Sequence, residues 1–175
     1  MATIHISKLD AAKRQLNTAI TLFLKKADPV SIHTLTCAAY EILSASAKSK
    51  GMTTTLKNSP FIKKEYRKEF YNLLNEPQNF FKHGQKDLKK LLKFNPDVMR
   101  YFLLDAVEMY MMITGEKPPE MMAYKAWFLL NNPQFVTEKN RKMLSALSAY
   151  NPLSKPEFSD KYLDILYRMK NVSEK

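Results

Sequence analysis

The chain has 175 residues, of which 45% are hydrophobic and 26% are charged, the composition of an ordinary soluble globular protein. This length predicts a single domain, 1–175, with a sizeable core. Three glycines are too few for a glycine-rich phosphate loop, a dinucleotide-binding crevice or a β-sandwich with many tight turns. Composition alone therefore excludes these three classes of protein.

The single cysteine, Cys37, excludes an internal disulfide. The first residues show no signal-peptide pattern, and no uncharged apolar run approaches the roughly 18 residues that a membrane span needs. The best candidate for a span, residues 101–113, is interrupted by Asp105 and Glu108. We therefore expect a cytoplasmic protein in a reducing compartment, with no part in the membrane.

The formal net charge of +11 is concentrated in the first part of the chain. Residues 1–95 carry 17 Lys and Arg against 7 Asp and Glu, whereas residues 96–175 carry 11 against 10. Such asymmetry predicts one positive side, which would attract nucleic acid, an acidic protein or an anionic ligand. Only five of the 28 cationic residues are arginine. Because arginine binds phosphate in a bidentate way and lysine does not, this composition favours a role in solubility or loose binding.

Periodic apolar residues predict two helices at the start of the chain. Apolar side chains recur at three-to-four spacing over 7–26, and Ser7 is the expected N-cap. Asp28 followed by Pro29 is a strong helix-start signal, and the second helix should run to about residue 50. After a turn-rich loop, 51–60, we expect a third helix over 61–74.

Pro77 is expected to break or sharply kink the third helix before a short helix resumes. Residues 84–94 are rich in lysine and have partial helical character. The remaining predicted helices cover 96–113, 120–130, 137–149 and 159–170, and the tail from Asn171 should be frayed. No segment alternates as a strand would, so the sequence predicts an all-α bundle of six to eight helices.

Asn79, Lys82 and His83 form the first candidate site. On a helix, Asn79 and His83 lie four residues apart and share a face, with Lys82 beside them. His83 could then act as a general acid or base on a phosphodiester while Lys82 stabilises the developing negative charge. The structural alternative is that His83 caps the carbonyl end of a helix and Gly84 follows as the C′ residue.

His33, Cys37 and Glu41 follow one another at intervals of four along the second helix. Their types suit metal ligation, but positions i and i+8 on a helix lie about 12 Å apart, so at most two could bind one ion. Cys37 fits equally well as a small buried residue. We predict no metal and no cofactor.

Asp105 and Glu108 stand out because they interrupt the most apolar predicted helix. Carboxylates in such a place are paired if they are buried. The same two residues could meet His33, Glu41 and His83 in a small-molecule or metal pocket, which requires His33 and His83 to approach each other.

The segment 57–93 contains ten Lys and Arg against four acidic residues, with aromatic residues interleaved. Cations can hold phosphates while aromatic rings stack on bases, although aromatic residues at helical spacing also form cores. The cations that we single out as a binding surface are Lys63, Lys64, Arg67 and Lys68.

Parts of the sequence resemble known proteins. Leu9–Leu16 with Asp28–Leu35, together with Glu76–His83, resemble a family of uncharacterised bacterial all-α proteins. The run Asn79-Phe-Phe-Lys-His83 is more distantly similar to the HEPN superfamily, helical bundles that often dimerise and include metal-independent ribonucleases. The arginine of the HEPN signature falls five to seven residues before the histidine, where this chain has glutamine, proline and glutamate.

The leading prediction is thus a HEPN-like, non-catalytic module that binds RNA or an acidic partner through its basic half. A homodimer is expected from the resemblance and from the Met- and Tyr-rich segment 109–128. One alternative is a degenerate, metal-independent endoribonuclease that uses His83. The other is the small-molecule or metal pocket described above.

Overall fold

The computed structural model describes residues 2–52, 67–83, 88–132 and 134, and gives the backbone alone for 67–71, 73 and 74. This part of the chain is helical and contains no strand, which confirms the all-α prediction for the described residues. The elements are α1 (Lys8–Leu24), α2 (Pro29–Ser49), α3 (Arg67–Lys82), a 3₁₀ turn (Pro96–Val98), α4 (Met99–Thr114) and α5 (Pro119–Asn131). The predicted helices 137–149 and 159–170 lie outside the described residues.

Helix starts follow the capping residues in the sequence. The Ser7 hydroxyl oxygen accepts a hydrogen bond from the Asp10 N–H at 3.1 Å and begins α1. Asp28 accepts one from the Ser31 N–H at 2.8 Å, with Pro29 at the first helical position. Both caps satisfy N–H groups that have no partner within the helix. No helix in the described residues combines the length and the apolar composition needed to cross a bilayer.

The core lies where α1, α2 and α4 pack together. α2 also contacts α3, and α5 packs on α1 and α4. The largest fully buried side chains come from all four of the elements that share this core: Leu16 and Ile20 from α1, Tyr40 and Leu43 from α2, Phe102 and Leu103 from α4, Met121 and Tyr124 from α5. Burying such side chains gives roughly 1.5–3 kcal/mol each, so these helices hold one another in place.

Two hydrogen bonds set the register of α2 against α4. The Tyr40 hydroxyl donates to an Asp105 carboxylate oxygen at 2.9 Å, with both residues buried. Nearer the other end, the Lys50 ammonium donates to the Ile113 carbonyl at 3.1 Å. Since residue numbers rise together along both helices, α2 and α4 run parallel.

α3 runs antiparallel to α2. The Gln78 side-chain amide donates to a Glu41 carboxylate oxygen at 2.7 Å, and one turn later the Phe81 ring lies 5.8 Å from the ring of His33. The last turn of α3 therefore lies beside the beginnings of α2 and α4. We call this region, with residues 88–95, the His33 end of the bundle.

Two predictions about α3 and the segment after it need correction. α3 continues through Pro77 to Lys82, so the expected break and restart do not occur, while the alternative of a sharp kink remains a prediction. Proline removes one helical hydrogen bond, but the residues after it still pack on α2 and keep the helix going. Residues 88–95 are not helical and lead to the start of α4 as irregular chain; the rest of the lysine-rich stretch, 84–87, lies outside the described residues.

α4 begins slightly later than predicted and ends where the sequence indicated. Asn95 accepts a hydrogen bond from the Asp97 N–H at 3.0 Å, but it caps the 3₁₀ turn that precedes α4. Gly115 ends α4 in the left-handed region, with φ of 73°, and its N–H donates to the Met111 carbonyl at 2.9 Å. Glycine adopts this conformation without the penalty of a Cβ.

Candidate functional site

The imidazole of His33 is buried at the end of the bundle that we named after it. The residue lies in the second turn of α2 and is 6% exposed. Its ring makes edge contacts with Phe81 and Phe94, at centroid distances of 5.8 and 5.3 Å, and is stacked at 6.3 Å on Phe102. A short irregular segment thus brings Phe94 back against α2.

Burial governs the chemistry of this imidazole. It lowers the pKa of His33 to about 4, because the charged form loses its hydration among apolar rings. The ring is therefore neutral near pH 7. Its Nε2 lies 3.4 Å from the buried Cys37 Sγ, and its Nδ1 has no hydrogen-bond partner among the described residues. One ring nitrogen is thus left unsatisfied.

A cavity of about 80 Å³ adjoins this ring. His33, Phe94 and Phe102 contribute rings to its wall, while Asn95, Lys93 and Glu76 contribute polar side chains. The last three are exposed to solvent, so the cavity has aromatic walls and a polar entrance.

Exposed lysines surround this end of the bundle. They follow α1, end α3 and occupy the segment before α4: Lys25, Lys26, Lys82, Lys89, Lys90 and Lys93. Within the described residues the only ion pair among these lysines joins Lys90 to Glu76, at 3.7 Å and on the surface. Such an exposed pair contributes little. The other five ammonium groups remain available to a partner.

Asn79, Lys82 and His83 lie together at the end of α3, and all three are exposed. The His83 N–H donates to the Asn79 carbonyl at 3.0 Å, so His83 directly follows the last helical residue. Its imidazole has no hydrogen bond or ion pair within the described part of the chain, and it does not line the cavity. Among the described residues, then, no group orients this imidazole for acid–base chemistry.

The five residues predicted to share one pocket are dispersed. His33 alone lines the cavity; Glu41 lies in a separate shallow groove between α1 and α2. Asp105 is buried and accepts from Tyr40, and Glu108 forms an ion pair with Lys125 at 2.8 Å. The pocket expected from these five residues therefore remains a prediction. Across the described ranges no group of three His, Cys, Asp or Glu residues is placed to hold a metal ion.

The predicted binding cations fall mainly beyond what the structure shows. Lys63 and Lys64 lie outside the described residues, while Arg67 and Lys68 are described only as backbone in the first turn of α3. The sequence did not identify Phe94, Asn95 and Phe102 as residues of the candidate site. A weak signal for them existed, since Asn95 begins the turn into α4 and therefore directs its neighbours towards the start of that helix.

No protein-family model, no curated protein and no solved structure matches this chain.

Proposed function

We propose that this protein is a binding module for single-stranded RNA, with the His33 end as its binding surface. The observation that carries the proposal is the group of exposed lysines at the end of α3 and after it: Lys82, Lys89, Lys90 and Lys93. Lysine side chains that are not committed to carboxylates attract the phosphate backbone and release its counterions on binding. The resemblance to HEPN-like bundles leads to the same expectation.

An exposed aromatic ring beside these lysines favours a nucleic acid over an acidic protein. Phe80 is 37% exposed. Single-stranded binding surfaces combine cations along the backbone with aromatic side chains on which bases stack. A surface that bound only carboxylates would gain nothing from such residues.

The proposal predicts a strong dependence on salt. For single strands the logarithm of the affinity falls with the logarithm of salt concentration, by about 0.7 for each phosphate neutralised. Replacing Lys89, Lys90 and Lys93 with glutamine should therefore reduce that slope by about 2. The affinity at low salt should fall by at least tenfold.

The test is fluorescence anisotropy of a labelled single-stranded oligoribonucleotide over a salt series, with EDTA present. The matched control removes the same charge from exposed lysines at the other end of the bundle: Lys8, Lys48 and Lys117. The control should retain most of the wild-type affinity and slope. Equal weakening in both variants, or no binding at low salt, would refute the proposal and turn attention to an acidic protein partner.

The same samples decide whether RNA is cut. Aliquots run on a denaturing gel should show intact RNA from wild-type protein and from His83→Ala alike. Cleavage that EDTA does not stop and that His83→Ala abolishes would instead establish the ribonuclease alternative.

A further inference from the structure

We infer that the cavity beside His33 receives one unstacked nucleobase of the bound strand. The inference rests on the proposed function, because the surrounding lysines would bring the strand to the entrance. It adds a site that a purely electrostatic surface would lack. Three features of the cavity carry it: the aromatic ring in its wall, its size and the polar groups at its entrance.

The wall offers an aromatic ring, that of Phe94. Phe94 is half-buried and lines the cavity, whereas the Phe102 ring lies between the rings of His33 and Tyr40. Bases gain free energy from contact with such rings, whichever base is present. An aliphatic ligand would not exploit this arrangement.

The size suits one base and excludes a stacked pair. A water needs roughly 10–15 Å³ of the space measured here, so the cavity of about 80 Å³ holds on the order of six waters. A space of this size admits one planar base but not two stacked bases.

The entrance carries groups that would engage the rest of the nucleotide. Asn95 uses its side-chain oxygen to accept from the Asp97 N–H, which leaves its amide N–H groups to donate to a base carbonyl. Lys93 lines the same cavity and extends a cation that can hold the adjoining phosphate. Base, sugar and phosphate would thus each meet a suitable surface.

The experiment compares two single strands of equal length and phosphate number, one normal and one abasic at every position. Wild-type protein should bind the normal strand about tenfold more tightly. Val98→Trp, which fills the cavity from its wall, should abolish this preference and leave the affinity for the abasic strand unchanged. Leu91→Ala, which removes an exposed apolar side chain, should keep most of the preference.

The outcomes separate this inference from the proposed function. Equal affinity of wild-type protein for the two strands would overturn the base site alone, and no binding of either strand would overturn both. A preference that survives Val98→Trp but disappears in Leu91→Ala would place the base on the surface and refute the cavity. If Val98→Trp fails to fold, saturation-transfer NMR of wild-type protein with a nucleoside monophosphate decides. Stronger saturation of base protons than of ribose protons supports insertion, and the reverse overturns it.

Discussion

Mild acid is expected to destabilise this protein through His33 before Asp28 and Glu116, whose pKa values are lowered by hydrogen bonds, contribute. Burial lowers the pKa of His33 from 6.5 to about 4, so over that interval the unfolded chain binds a proton that the folded chain does not. The free energy of unfolding is therefore highest above pH 6.5. It should fall as the pH falls towards 4 and level off below that value.

The size of the effect follows from the difference in proton binding. Inside this window each pH unit lowers the free energy of unfolding by up to about 1.4 kcal/mol. Since the curve flattens at both ends, the loss from about pH 7 to about pH 4.5 should be about 2 kcal/mol. The charged side chains that line the same cavity, Glu76 and Lys93, have opposite signs, and both are exposed. They therefore offset each other.

Urea unfolding at a series of pH values measures the effect. His33→Gln should remove most of the slope between about pH 6.5 and pH 4.5, because glutamine does not titrate. The control is Leu43→Ala, a fully buried position on the same helix, which should lower stability by about 2–5 kcal/mol at every pH and keep the wild-type slope. A His33→Gln variant with the wild-type slope would refute the argument.

The change in the free energy of unfolding is assigned to His33 only above about pH 4.5, because carboxylates also contribute to it below that value. A hydrogen bond from Lys13 holds the pKa of Glu116 below its usual value of 4.5. The Ser31 hydroxyl does the same for Asp28, whose usual pKa is 3.8. The stabilisation from both carboxylates is present above these usual values and is lost as the pH falls below them.

Three further variants test the fold by urea or thermal unfolding. Tyr40→Phe should lower stability by about 1–3 kcal/mol, because the buried Asp105 loses a donor at 2.9 Å; an unchanged midpoint would contradict this pairing. Gly115→Ala should cost about 1 kcal/mol, since no atom lies within 4 Å of the added Cβ and the penalty comes from the φ of 73° alone. Pro77→Ala should raise stability by up to about 3 kcal/mol if α3 is continuous, whereas a true break at this position predicts no gain.

The local features of the fold could be predicted from the sequence because local chemistry determines them. Ser7 and Asp28 each offer a side-chain oxygen to the first turn of a helix, and Gly115 offers the one backbone conformation that ends α4 cleanly. These effects act within four residues and need no knowledge of the rest of the chain. Pro77 shows the limit of this approach, because tertiary packing overrode a correct local penalty.

The cavity could not be predicted, because it depends on register rather than on any local pattern. His33 and Phe102 meet only if α2 and α4 are aligned as Tyr40–Asp105 and Lys50–Ile113 align them. A slip of one helical turn, about 5.4 Å, would carry Phe102 past the imidazole. The lysines differ in this respect, because their charge acts over about 8–10 Å in ordinary salt. Charge composition therefore sufficed to predict a basic surface but not the cavity beside His33. It also follows that Tyr40→Phe, a change that touches no lysine, should weaken base preference more than overall RNA affinity.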